Sequence, residues 1–262
     1  MNTRLILLAL TALIMVACSN PAEKDGGGAK PASVDSTAAS TTDKQEATSQ
    51  ERYKTGDDLF VFAKSGLTLR KTPDKEGEKV STLPFGSKVN VVDADLESDP
   101  YTTKEPCGLE MTGHWVRVKS GQKEGFLFDG YLLTLDPDAI LDPEAYWTTV
   151  SKVKSTSDKG PHADVEYYEY KSTVWENGVT FTDQGYVGGN SATLTLPKSL
   201  VSFQEAYLLA MATLQNDPAN PMTCNCDVDK EDLDCSSKDE MQGTSLRVDK
   251  NGDYEIMDSV AD

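Results

Sequence analysis

Apolar residues along this chain fall into three regimes, and each predicts a different kind of structure. The first is a continuous run from Leu5 to Ala17, broken only by Thr11 and preceded by the cation Arg4. A basic start followed by an apolar core of this length is a secretory leader, too short for a stable bilayer anchor. The second, residues 19–52, holds a single large apolar residue, Val34. Such a stretch buries too little surface to offset its ordering entropy, so a disordered tether is expected there. Its composition implies an r.m.s. reach of roughly 30 Å and a full extension of roughly 110 Å. The third regime begins near residue 58, where apolar residues recur in short strand-like runs.

Leu59-Phe60-Val61-Phe62-Ala63 reads as a strand leading into Ser65-Gly66-Leu67-Thr68-Leu69-Arg70, where apolar and polar residues alternate. Further strands are predicted at Val80–Leu83, Val89–Val92, His114–Lys119 and Glu124–Phe128, with turn chemistry at Pro84-Phe85-Gly86-Ser87 and Ser120-Gly121. Short strands at this spacing predict a small β-barrel over 58–135.

Residues 136–262 change character. Asp136-Pro137 and Asp142-Pro143 are start signals, with 143–147 fitting the first turn of a helix. The run from Val165 to Trp175, then Glu176-Asn177-Gly178 and Val179-Thr180-Phe181, predicts a hairpin closed by Asn-Gly. Ala192–Leu196 is another strand. Ser202-Phe203-Gln204-Glu205 is a capping box opening one helix to about Gln215. Phe203, Ala206, Tyr207, Ala210, Met211 and Leu214 form a stripe at helical spacing, read as core. The expected fold is mainly β: a small barrel, then an α+β domain with one helix on an antiparallel sheet. About 210 residues after the tether are enough for two small domains with separate cores.

The end of the leader, Met15-Val16-Ala17-Cys18, resembles the bacterial lipobox. That resemblance implies cleavage before Cys18, acylation of Cys18 and attachment to a membrane by lipid. Ser19 fits sorting to the outer membrane, on its periplasmic or surface face. The expected organisation is therefore a signal peptide at 1–17, the lipidated Cys18 and linker to 57, the barrel at 58–135 and a further domain at 136–262.

Charge narrows the partners. The chain has 25 basic and 43 acidic residues, a formal net charge of −18. Removing the leader takes away Arg4 alone, leaving 24 basic against 43 acidic residues, or −19. This balance argues against nucleic acid and against electrostatic docking on anionic lipid.

The ordered elements of the barrel resemble the bacterial SH3-like (SH3b) domain. The matching residues are Gly66-Leu67-Thr68-Leu69-Arg70, Pro73, Leu83, Gly86, Val89-Asn90-Val91, Trp115-Val116-Arg117-Val118, Gly125-Phe126 and Tyr131-Leu132. Thr68 stands where that family often has Asn, and residues 95–113 form a longer connection than usual. The resemblance implies a binding module for cell-wall peptide or another envelope protein, without catalysis or cofactor. The insertion is expected to lie as a loop over a binding groove, with Tyr101, Trp115 and Tyr131 as ligand contacts. Alternate members of the set Trp115, Phe126, Phe128 and Tyr131 are expected to fill the barrel core instead.

With Cys18 lipidated, four thiols remain: Cys107, Cys224, Cys226 and Cys235. An even count outside the cytoplasm predicts two disulfides. Cys224 and Cys226 are too close to pair comfortably, so Cys235 is expected to bond one of them and Cys107 the other. A four-cysteine zinc site is the rival, but the spacing fits no usual knuckle. Asp249-Lys250-Asn251-Gly252-Asp253 begins like a calcium loop, yet Tyr254 and Val260 occupy the positions of its turn Gly and bidentate Glu. A hairpin turn at Asn251-Gly252 is the better reading.

An enzyme finds little support. His114 and His162 have no partner in a Cys/His or Ser/His arrangement, and 136–262 shows no serine elbow, metal-protease helix or phosphate loop. The two classes left are a lipid-anchored envelope binding protein and, as the alternative, a cell-wall hydrolase with its site in 136–262.

Overall fold

In a computed structural model, residues 52–94, 99–159, 169–214 and 220–261 are described. The expected leader, Cys18, the tether to residue 51, His162 and the 165–168 part of the expected strand lie outside them. So does the expected helix end at Gln215.

The barrel is built from β1 (Asp58–Val61), β2 (Leu67–Arg70), β3 (Lys79–Leu83) and β4 (Lys88–Asp93). The insertion carries β5 (Tyr101–Lys104) and β6 (Glu110–Gly113). β7 (Trp115–Ser120), β8 (Lys123–Phe128), a 3-10 turn at Asp129–Tyr131 and β9 (Leu132–Leu133) close it. The sheet order is β3-β2-β8-β7-β4-β1-β9, with every pairing antiparallel. Strand alternation sets its interior: Leu59, Val61, Leu69, Val89, Val91, Val116, Val118 and Leu127 all point inward.

That parity corrects the expectation for the aromatics. Val116 and Leu127 occupy the interior, so their neighbours Trp115, Phe126 and Phe128 must face the other way. The barrel core is aliphatic.

After β9 come two short helices, α1 (Asp138–Leu141) and α2 (Pro143–Val150). Asp142 caps α2 by accepting from Ala145 N, and Trp147 Nε1 donates to Ala139 O at 2.9 Å, binding the two helices together. The fold class is as expected; α2 starts at Pro143, where a first helical turn was expected, and α1 is an added helix.

The second sheet comprises β10 (Val153–Lys159), β11 (Glu169–Trp175), β12 (Thr180–Tyr186) and β13 (Gly189–Leu196). β14 (Met222–Asp227), β15 (Asp232–Ser237), β16 (Gln242–Val248) and β17 (Tyr254–Ala261) complete it. Their order is β10-β11-β12-β13-β17-β16-β15-β14, antiparallel throughout. The Asn-Gly hairpin forms as expected, with Gly178 at φ +89° closing the turn from β11 to β12. The Asp249 carboxylate accepts from Asn251 N at 2.7 Å and Asp253 N at 2.9 Å, so it organises the β16–β17 hairpin turn.

α3 (Phe203–Thr213) opens with the full Ser202/Glu205 capping box. Its burial goes beyond the predicted stripe: Leu208 and Leu209 are buried beside Ala206, Tyr207 and Ala210. A helix covered on most sides lies between two layers. One layer is the sheet, through β16 and β17. The other is the barrel and its insertion, with Gln204 Nε2 donating to Thr112 O at 3.2 Å and to Gly130 O at 3.1 Å. Phe62, Leu109, Met111 and Leu133 consequently belong to the same apolar cluster as Trp147, Trp175, Leu209 and Ile256. The barrel keeps a separate aliphatic core, as expected, and this second cluster joins its outer face and the insertion to the sheet.

Asp258 on β17 offers a test of this burial. Burial raises its carboxyl above the ordinary value of 3.8, against a hydrogen bond from Thr244 Oγ1 at 2.9 Å that favours the charged form. A folded state that holds its proton more tightly is favoured below the unfolded value and loses that advantage as pH rises through the folded value. Asp258→Asn keeps the Oδ1 acceptor and removes the charge. It should therefore raise the melting temperature at neutral pH, and the gain should vanish below about pH 3.8. A gain of equal size at both pH values would contradict the burial argument.

Candidate functional site

The insertion is a folded hairpin rather than a bare loop. β5 and β6 pair from Tyr101↔Gly113 to Lys104↔Glu110, and Gly108 at φ +101° helps close the turn. Its outer residues are polar, while Leu109 and Met111 are buried against the shared core. At its base, a Cβ on Gly113 would overlap Asp129 Oδ1 and lie 2.6 Å from Gly130 N, so only glycine fits. Asp129 is 2% exposed and its carboxylate accepts from His114 N at 2.6 Å and Tyr53 Oη at 2.7 Å. Burial and the adjacent Asp129 carboxylate push the Tyr53 phenol well above its usual range. This carboxylate ties together the start of the barrel, the insertion and the turn before β9.

The three predicted aromatic contacts are brought together here. The Tyr101 ring lies 6.2 Å from Trp115 and 5.2 Å from Phe128, and Phe128 lies 5.7 Å from Tyr131. Trp115 is only 8% exposed and Phe128 only 4%, so the row chiefly packs the insertion on the barrel. Tyr131 differs, because its hydroxyl reaches past the row.

Tyr131 Oη donates to Glu105 Oε1, and Tyr207 Oη donates to Glu105 Oε2 at 3.3 Å. The three residues come from the turn before β9, the helix α3 and the insertion. They line a cavity of about 420 Å³ together with Phe62 and Lys64 of the β1–β2 loop and Leu67 of β2. Burial, reinforced by the Glu105 carboxylate, pushes both phenols above their usual range. Lys64 Nζ donates to Ala212 O at 2.9 Å and lies 5.0 Å from the Phe85 ring centre. Burial lowers the Lys64 ammonium from its ordinary value. Among the described residues, Lys64 forms no ion pair. The described lining contains neither histidine nor cysteine.

Both disulfides form, and the structure assigns the partners. Cys224 faces Cys235 directly across β14 and β15. Cys107, at the tip of the insertion, bonds Cys226 on β14 with a Cα separation of 5.4 Å. The hairpin that presents Glu105 is thus held at its base by Asp129 and at its tip by the sheet. The acidic segment between Cys226 and Cys235 gathers no cluster suited to a metal ion among the described residues.

Of the cavity's polar groups, only Tyr131 was a sequence-level candidate. Tyr207 was readable as one position of the helical stripe. Glu105 was visible only as a neighbour of Cys107 in the insertion, and Lys64 carried no signal beyond preceding Gly66.

Residues 65–132 match the family model described as Bacterial SH3 domain, about a quarter of the chain. The match covers β2 to β8 and includes the insertion. Comparison with curated proteins and with solved structures gives no match for the chain.

Proposed function

We propose that the protein is a lipid-anchored, non-catalytic binding protein of the bacterial cell envelope, attached through Cys18, with cell-wall peptide or an envelope protein as its partner. Bacterial SH3 domains commonly bind cell-wall material. The observation that carries the reading is the cavity beside that domain, where Glu105, Tyr131 and Tyr207 meet across three elements without a nucleophile–base pair. A preformed cavity with a few convergent polar groups supports a binding role. The leader, the lipobox-like residues and the polar tether support anchoring outside the cytoplasm.

One experiment tests it. Full-length wild-type and Cys18→Ser chains are partitioned between detergent and water, then mixed with purified murein sacculi and run on a murein zymogram. The wild type should enter the detergent phase and the variant should remain unprocessed or aqueous. Both should sediment with sacculi and leave the zymogram uncleared. Unchanged processing and partitioning in the variant refute the anchor, and clearing favours the hydrolase alternative.

A further inference from the structure

The cavity between the barrel and α3 presents two opposite charges that do not pair with each other among the described residues. Lys64 has three N–H donors, of which one is used by Ala212 O. Glu105 offers roughly four lone-pair sites, and two are taken by the hydroxyls of Tyr131 and Tyr207. Both groups therefore retain hydrogen-bonding capacity beside the cavity. We propose that this cleft binds a small zwitterion, an amino acid or a short peptide with both ends free, with its ammonium at Glu105 and its carboxylate at Lys64.

Three physical arguments favour a zwitterion over other small molecules. A ligand with one charge would leave either the exposed Lys64 ammonium or the half-buried Glu105 carboxylate without a partner in the cleft. A simple anion would also be disfavoured by the field of a chain with net charge −18. A ligand ammonium at Glu105 would lie beside the hydroxyl oxygens of Tyr131 and Tyr207, which have lone pairs free to accept from it. The volume of about 420 Å³ lies within the range of small-ligand pockets and accommodates two or three small residues. Because its walls come from the β1–β2 loop, the insertion and α3, the site exists only in the whole folded unit.

The inference rests on the reading of the chain as a binding protein, and its test separates the two. Trialanine, N-acetyl-trialanine and trialanine amide are titrated calorimetrically into the full-length chain in detergent. Unblocked trialanine should bind saturably, and blocking either end should weaken it by about tenfold or more. Lys64→Ala should erase the discrimination against the amide while preserving that against the acetyl form. Glu105→Gln, which keeps one acceptor for a tyrosine, should do the reverse. A merely structural role would weaken all three ligands alike. Equal binding of blocked and unblocked peptides by the wild type overturns the proposal without recourse to any variant. No saturable binding by a chain that still sediments with sacculi overturns the cleft assignment alone. Loss of both overturns the functional reading as well.

Discussion

Replacing Cys107 and Cys226 together by serine is expected to lower the unfolding free energy by about 4–5 kcal/mol. The bond joins residues separated by 119 positions, so its removal releases a very long closed loop in the unfolded chain. Loop-closure entropy grows with the logarithm of length, and the Cys224–Cys235 bond, with a separation of 11, contributes only about 3 kcal/mol by the same relation. The ordering of the two is the sharper expectation. Denaturant unfolding of the two double-serine variants measures it, and an equal or larger loss for the Cys224/Cys235 pair would contradict it. The first variant should also loosen the hairpin tip near Glu105, which then keeps only non-covalent contacts through Leu109, Met111, Gln204 and Asp129.

Trp175→Ala should cost about 3–5 kcal/mol, as expected for removing a large aromatic from a packed interior. Trp175 is 0% exposed, in the cluster that also contains Trp147 and Leu194. That cluster continues into Phe62 and Leu133 at the barrel and into Met111 on the insertion. The loss should consequently appear in the stability of the barrel, although Trp175 lies on the second sheet. In a Trp147→Phe background, where Trp175→Ala leaves Trp115 as the one tryptophan, fluorescence and far-UV circular dichroism should give one coincident transition. If Trp115 reports a separate transition unmoved by the substitution, the shared core does not couple the two parts.

Several elements were legible because their cause is local. Strand alternation at Leu67–Arg70 and Trp115–Ser120 displays the barrel directly, since a period of two needs no distant partner. The Asn177-Gly178 turn and the Ser202/Glu205 box are likewise short-range chemistry. Setting Cys18 aside as the expected lipid site, the four other cysteines were enough to expect two bonds, with Cys235 and Cys107 in different ones.

Other elements are weakly marked. β5 reads Tyr-Thr-Thr-Lys, with one apolar residue and no alternation, so its hairpin looked like loop. α1 has four residues and α2 eight, too few turns for a helical period to emerge. Tertiary contacts hold these pieces: Met111 and Leu109 are buried against the shared core, and Trp147 bonds back to Ala139.

By itself, then, the amino-acid sequence determined the β-rich class, the SH3-like strand pattern, the capped helix and the two-bond cysteine framework, because each rests on neighbours within a few residues or on a simple count. Only the tertiary structure decided which cysteine meets which, that a second apolar cluster joins the barrel's outer face to the sheet, and that Lys64, Glu105, Tyr131 and Tyr207 surround one cavity. Those outcomes depend on residues brought together from distant parts of the chain. Local periodicity specifies the face a side chain presents, and the packing of whole layers selects what that face meets.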